Sequence, residues 1–337
     1  MPKNQATSFL FNCIFYGGTT KIKKQTFGII FIFAYQLLIA KEISITSWNL
    51  QTFFDGNTTG TEYSEFKKNK NWNVDFYEAR LNKLSDAIKL IESNIFVFQE
   101  IENKDFFYDV YNKISDLSWN HKKKFKYAAF SKKQGDAIGC GIMSQYPITK
   151  IKNHTLDIRT ENEKQPSMRS ILEVEIKMDD VSMKIFINHW KSKSGGAEKS
   201  EKWRIWQESQ LFTLLDKNKT EKIIVCGDFN KDIQEFNLTN NKVNLFKHKK
   251  YFCSVSKQVC SPWIVSENDY VCPGSYYYND EWERIDHFFV NENVNVISFE
   301  PLINELWCDE NGIPNPYRVY THKGVSDHLP INCKIDI

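Results

Sequence analysis

The feature that most constrains this chain is a series of short apolar runs, each four to six residues long. They are Ile43–Trp48, Ile95–Phe98, Phe125–Phe130, Ile138–Met143, Ile171–Ile176, Met183–Asn188, Ile223–Cys226, Ile285–Val290 and Ile331–Ile335. Runs of that length match β-strands and are too short for ordinary helices, so the fold must be built around sheets. Two segments depart from this pattern with helical spacing. Leu81, Leu84, Ile88 and Ile91 recur on one face and predict a helix over Tyr77–Glu92. A second helix is expected over Glu198–Leu215, where Trp203, Trp206, Gln210 and Leu214 share a face. Many short strands, few helices and no strict alternation predict an α+β sandwich of sheets. The 41% hydrophobic share is enough to fill its core. No internal repeat or low-complexity linker interrupts the chain, and Gln51–Asn73 reads as a long polar insertion on the surface.

The first forty residues differ from the rest. No Asp or Glu precedes Glu42, and Lys21, Lys23 and Lys24 lead into the apolar stretch FGIIFIFAYQLLIA at 27–40. A basic flank before a short apolar run is the pattern of a secretory signal, and the run is shorter than a membrane-spanning helix requires. The expectation is a targeting segment over 1–40 and one catalytic domain over 41–337, exported to the periplasm or beyond. Retention as an N-terminal membrane anchor is the alternative. The formal net charge is +2, and residues 1–40 hold four lysines (3, 21, 23 and 24) and no acid, so the remainder carries about −2. That balance excludes a protein that binds nucleic acid by bulk charge alone. Cys140, Cys226 and Cys333 lie in apolar runs and are expected to pack as small hydrophobes. Cys253, Cys260, Cys272 and Cys308 lie in polar segments where export would permit one or two disulfides of unspecified pairing.

The chemistry collects where the apolar runs end. Ile43–Trp48 runs into Asn49, Ile95–Phe98 into Gln99-Glu100, and Met183–Ile187 into Asn188-His189. Ile223–Cys226 runs into Gly227-Asp228-Phe229-Asn230; Asp286 lies at the start of another strand, and Ser326-Asp327-His328 precedes the last. Carboxylates and amides suit a hard divalent cation, which takes oxygen ligands and keeps waters for a phosphate substrate. Two imidazoles beside them supply proton transfer and charge stabilisation. Taken singly, Glu100 could be a surface acid, Asp228 and Asn230 an Asx turn, and either histidine a core residue. Together at strand ends they point to one site. The stretch NHWKSKSGG (188–196) is not a phosphate loop, because its glycines follow the lysines rather than precede them. Gly195-Gly196 instead lets the chain turn towards the helix near Glu198.

The ordered set SWN (47–49), FQE (98–100), NHW (188–190), GDFN (227–230), RIDHFFV (284–290) and SDHLPI (326–331) resembles the endonuclease/exonuclease/phosphatase superfamily, whose best-known members are DNase I-like. The resemblance covers about residues 43–337. It implies a four-layer α/β sandwich, two face-to-face mixed β-sheets flanked by helices, with Mg²⁺ as cofactor and Mn²⁺ or Ca²⁺ able to assist. It further implies Glu100 as the main metal carboxylate, with Asn49 and Asp327 beside the same metal. Asp228 would position or deprotonate water, Asn230 steady phosphate and water, and His189 and His328 flank the scissile phosphate. Asp286 would orient His328 and hold it as a phosphate-facing cation. Arg169 sits where some members place a phosphate-contacting arginine.

The substrate implied is nucleic acid, DNA or RNA, cleaved by in-line attack of water on phosphorus. Lys191 and Lys193 supply local positive charge beside His189, and Tyr276, Tyr277, Tyr278 and Trp282 supply rings able to stack on bases. A monomer with no stable protein partner is expected. Two alternatives stay open: an inositol-phosphate phosphatase or sphingomyelinase-type phospholipase, with Trp263-Ile264-Val265 as a candidate membrane-inserting segment, and a catalytically degenerate binding or toxin-delivery module.

Overall fold

A computed structural model describes residues 41–68, 72–115, 125–158, 163–218, 221–239, 242–246, 256–267 and 269–337. The expected targeting segment, 1–40, lies outside the described residues. Among the described residues no helix is long and apolar enough to cross a membrane.

Every apolar run named above forms a strand or most of one. The strands of the two large sheets are β1 (Glu42–Phe53), β2 (Ile95–Ile101), β3 (Tyr127–Ser131), β4 (Gly139–Ser144), β5 (Ile148–His154), β6 (Ile171–Met178), β7 (Val181–His189), β8 (Lys222–Asp228), β9 (Asp286–Val290), β10 (Asn295–Pro301) and β11 (Ile331–Asp336). One six-stranded sheet has the order β10-β11-β1-β2-β4-β3, and a five-stranded sheet has the order β9-β8-β7-β6-β5. Both are mixed: β1 pairs parallel with β2 and β7 parallel with β8, whereas their other neighbours run antiparallel. The helices are α1 (Ser64–Lys68), α2 (Val74–Leu90), α3 (Asp105–Ile114) and α4 (Ala197–Asp216).

Alternation along the strands divides the core. In β1 and β2, Ile43, Ile45, Ile95 and Val97 face the other sheet and pack with Val174, Ile185, Ile187 and Val225. Trp48, Leu50, Phe96 and Phe98 point the other way, beneath Leu81, Leu84 and Ile88 of α2 and Phe106 and Val110 of α3. Leu211 and Leu215 of α4 join the cluster around the second sheet. The result is the four-layer sandwich. Asn73 starts α2 by accepting the backbone N–H groups of Asp75 and Phe76 at 3.0 and 3.2 Å.

Several expectations change. β5 and β10 were not legible as apolar runs, because as sheet edges they leave most side chains in solvent. The segment Gln51–Asn73 is a surface insertion only in part, with residues 57–61 and 63–65 exposed. Its first residues complete β1, and Phe54, Phe66 and Trp72 are buried in the outer core, with rings 4.7 and 4.9 Å apart in edge-to-face contacts. Phe66→Ala is therefore expected to cost about 3–5 kcal/mol. A loss of unfolding free energy below about 0.5 kcal/mol in denaturant titration, as for an ordinary surface position, would restore the loop reading at Phe66. The expected face of α4 is only half buried, through Trp203 and Leu214. Trp206 and Gln210 are only partly buried, while Arg204, Gln207 and Glu208 are buried beside Leu211 and Leu215. Trp263 is fully buried against Phe299, which leaves Trp263-Ile264-Val265 without the exposed apolar tip of an inserting hairpin; only Val265 is well exposed. Cys140, Cys226, Cys260, Cys272, Cys308 and Cys333 are free thiols, and Cys253 lies outside the described residues.

Candidate active site

Three adjacent strands set out one side of the site as a row. His189 at the end of β7 is in register with Asp228 at the end of β8, and Asp228 is in register with Asp286 at the start of β9. Close packing of this row depends on Gly227. Its φ is +127°, and a Cβ there would stand 2.0 Å from the carbonyl oxygen of Asn188. Any larger residue would push β7 and β8 apart at the step before His189 and Asp228.

The facing sheet delivers the other half through irregularity. The β1–β2 pairing slips between Asn49 and Phe53, and the β2–β4 pairing slips between Gln99 and Ile101. Such bulges re-aim side chains at strand ends. Here Glu100, itself at φ +66°, lines the cleft, and Asn49 is buried beside it. Asn49 donates its amide to Asp228 Oδ2 at 2.9 Å and, more weakly, to Glu100 Oε1 at 3.5 Å. Glu100 Oε2 accepts the backbone N–H of Thr52 at 2.6 Å. Asn230, also in a left-handed conformation at φ +48°, donates its side-chain amide to Asp228 Oδ2 and its backbone N–H to Asp228 Oδ1. The Asx turn is thus present, and it serves to aim Asp228.

The two histidines differ. His328 Nδ1 donates to Asp286 Oδ2 at 2.8 Å, and Ser275 Oγ donates to the same oxygen at 2.6 Å. Burial works against a charge on His328, but Asp286, with Asp327 and Asp228 behind it, raises the imidazole to about 10. His328 is therefore an imidazolium at neutral pH. His189 is buried with Nε2 3.5 Å from Glu100 and 3.6 Å from Asp228, and its Nδ1 has no hydrogen-bond partner among the described residues. Burial, aided by the cations Arg169, His328 and Lys191, holds it well below the ordinary histidine range, so it is neutral. Asp228 is pushed above the usual carboxylate range by burial and by Asp286, and Asp327 is raised by burial with Glu100 contributing.

Glu100 and Asp286 raise the proton affinity of both Asp228 and Asp327, a repulsion that a divalent cation would relieve. One ligand atom each from Asp228, Asp286 and His328 lies within 4.8 Å of the others. In that trio, however, Asp286 and His328 are already committed to each other and to Ser275. The carboxylates of Glu100 and Asp327 line the open cavity and are the better hard-oxygen donors, so the residues present fit Mg²⁺.

The cleft extends past the acids in both directions. One cavity of about 560 Å³ is lined by Glu100, Asp327, His328, Tyr276 and Tyr278. The Tyr276 ring lies 4.6 Å from His328 and 6.2 Å from the nearly parallel Tyr278, forming a staircase of rings. Tyr277 and Trp282 pack on each other, 5.1 Å apart, and do not line this cavity. A second cavity of about 630 Å³ shares Glu100, Ser192, Ser194 and Asp327 with the first and continues to Arg169, Lys191 and Tyr63. Lys193 lines the first cavity, but Glu235 and Glu283 accept its ammonium at 2.7 and 2.8 Å. Lys191 lies among cations: burial, Arg169 and Arg204 lower its amine.

Besides Asp286, further residues hold the groups that face the cleft. Trp48 Nε1 donates to the His328 carbonyl, Ser326 Oγ to the Asn49 carbonyl, and Trp263 Nε1 to the Asp286 carbonyl, at 2.9, 2.6 and 2.8 Å. Gln207 of α4 accepts the Lys191 N–H, and Arg204 donates to the Lys191 carbonyl, clamping the loop after His189. Of these, Ser326 within SDHLPI and Trp48 within SWN carried a local signal.

Known proteins share the family and the fold. Residues 44–336 match the family described as Endonuclease/Exonuclease/phosphatase family. No curated protein matches the chain in sequence. Truncated Caenorhabditis elegans TDP2 superposes with a TM-score of 0.54 at 13% identity, covering 88% of this chain and 98% of that one. A family protein from Bacteroides thetaiotaomicron gives 0.54 at 14% identity, with 88% and 98% covered. The human Nocturnin catalytic domain with bound sulfate gives 0.54 at 18% identity, with 87% and 93% covered. At these identities the likeness is one of fold.

Proposed function

The chain belongs to the endonuclease/exonuclease/phosphatase family, whose members are phosphoric ester hydrolases, and from that premise we propose that it is a divalent-metal-dependent phosphodiesterase acting on nucleic acid. The observation that carries the reading is the cleft continuing on both sides of the acid cluster. A monoester ends at its phosphate, whereas a diester in a polymer continues past it in both directions. The two arms also suit different parts of such a chain. Arg169 and Lys191 offer charge for a flanking phosphate, and Tyr276 and Tyr278 offer faces for bases.

Each residue has a role that follows from its surroundings. Asp228, with raised proton affinity and held by Asn49 and Asn230, is suited to take a proton from the attacking water. The His328 imidazolium, backed by Asp286, meets the charge that grows on the non-bridging phosphate oxygens. Neutral His189 keeps its Nε2 beside Glu100 and Asp228 without adding charge. Glu100 and Asp327, with Asn49 beside them, would hold a divalent cation, which when bound supplies Lewis-acid neutralisation of the phosphate.

Supercoiled plasmid incubated with the protein and Mg²⁺ should become nicked, and EDTA should stop the reaction. Intact DNA and RNA alongside hydrolysed inositol phosphates or sphingomyelin would transfer the activity to the phosphatase or phospholipase class. A protein inert with every substrate and metal would leave a binding module. Within the nuclease reading, Lys191→Gln should reduce the salt dependence of oligonucleotide binding by about one unit of log–log slope. Lys193→Gln should leave that slope nearly unchanged, because its charge is already matched by Glu235 and Glu283. Equal losses for the two variants would contradict this assignment of the cleft's charge. Export belongs to the same proposal, and a mature mass lower than the full-length value by the N-terminal segment would support it.

A further inference from the structure

Arg80 lies on the inner face of α2, with 2% of its surface exposed, a site where sequence alone predicts an apolar residue. Its hydrogen-bond partners are all backbone carbonyls. Nη1 donates to Thr52 at 2.9 Å, and Nη2 to Leu50 and Gln51 at 2.7 Å each, with Val325 at 3.4 Å. The guanidinium plane is held between the rings of Tyr317 and Phe53, 3.7 and 4.5 Å from their centroids. A charge this deep, met by dipoles and ring faces rather than by a hydrogen-bonded carboxylate, costs stability and needs a structural reason.

The carbonyls it gathers supply that reason. Leu50, Gln51 and Thr52 form the turn inside the β1 bulge, where Gln51 and Thr52 take φ values of +49° and +54°. Two consecutive residues with side chains in the left-handed region are strained, the β-branched threonine most of all, and persist only where surroundings over-determine them. That conformation points the Thr52 N–H at Glu100 Oε2, at 2.6 Å. The fourth carbonyl, Val325, begins the segment carrying Ser326, Asp327 and His328. Ser326 in turn donates to the Asn49 carbonyl.

We propose that Arg80 is a positioning residue, which ties the Leu50–Thr52 turn to the Val325 segment so that the Thr52 N–H fixes the Glu100 carboxylate opposite Asp327. The metal-holding role of Glu100 rests on the phosphodiesterase reading; the clamp itself does not. Lysine cannot replace it, because an ammonium is a point charge that lacks the planar fork and stacks poorly.

The test uses amide hydrogen exchange and Mn²⁺ binding on the full chain, both independent of turnover. In Arg80→Met, protection of the Thr52 amide should fall at least about tenfold relative to the Ile45 and Val97 amides of the same two strands, which follow global stability. The Mn²⁺ dissociation constant should rise about 10- to 100-fold, as for loss of a group that orients a ligand. In a Glu100→Gln background, Arg80→Met should raise it no further, because the effect runs through Glu100. Unchanged relative protection of Thr52 in folded Arg80→Met, or a metal penalty that persists without Glu100, overturns the proposal. If the methionine variant does not fold, Arg80→Lys is read by the same criteria. A wild type that binds no Mn²⁺ but shows the Thr52 effect sinks the metal reading of the site and upholds the clamp.

Discussion

Glu100→Gln should lower phosphodiesterase turnover by about a thousandfold while leaving the fold intact. The substitution preserves volume and an acceptor for the Thr52 N–H. It replaces a negative oxygen by an uncharged amide at the point where the cleft's two arms meet, since Glu100 lines both cavities. The negative charge that attracts a divalent cation falls, and so should Mg²⁺ affinity, measured by calorimetry on the metal-free protein. Thermal unfolding without metal should be unchanged or slightly raised, because removing one acid eases the crowding around Asp228 and Asp327. A variant that keeps more than about a tenth of wild-type nicking activity would remove Glu100 from the centre of the site.

The second large effect is expected from Asp286→Asn. The His328–Asp286 pair is buried, with side-chain exposures of 6% and 3%, so its loss leaves an imidazolium without its counter-charge. Breaking a buried pair of this kind costs about 3–5 kcal/mol, and activity should fall about 100- to 1000-fold. The pH dependence has a definite sign. In the folded protein His328 is raised to about 10, well above the roughly 6.5 of a free histidine. Its contribution is therefore fully present below about pH 6.5 and fades as the pH rises through about 10. The stability gap between wild type and Asp286→Asn should be widest near pH 6 and narrow towards pH 10. A gap that widens over that range would show that Asp286 does not hold a proton on His328.

Much of this protein can be read directly from its sequence, and the reason is periodicity. Strand burial imposes an alternation or a short apolar run at the scale of a few residues, so the runs beginning at Ile43, Ile95, Ile171, Met183, Ile223 and Ile331 are visible without a partner in view. The residues of the site are visible for a related cause: Asn49, Glu100, His189, Asp228, Asp286 and Asp327 each stand where an apolar run begins or ends. Polar groups there are either turn residues or a site, and their number and order favoured the site.

What only the tertiary structure decided are the properties that arise between segments distant in sequence. Lys193 looks like a free substrate contact until Glu235 and Glu283 are brought against it. His189 and His328 look alike in sequence, yet one is neutral and the other charged, because Asp286 reaches only the second. The edge strands leave most side chains in solvent, and Trp72 is buried against Tyr317, far away in sequence. Arg80 is the clearest case: a charge on the inner face of a helix has no local explanation, and its meaning appears only when the carbonyls of Leu50, Gln51, Thr52 and Val325 meet around it. Alternation of apolar and polar residues is a short-range record of burial, whereas charge state and strain depend on contacts that only folding creates.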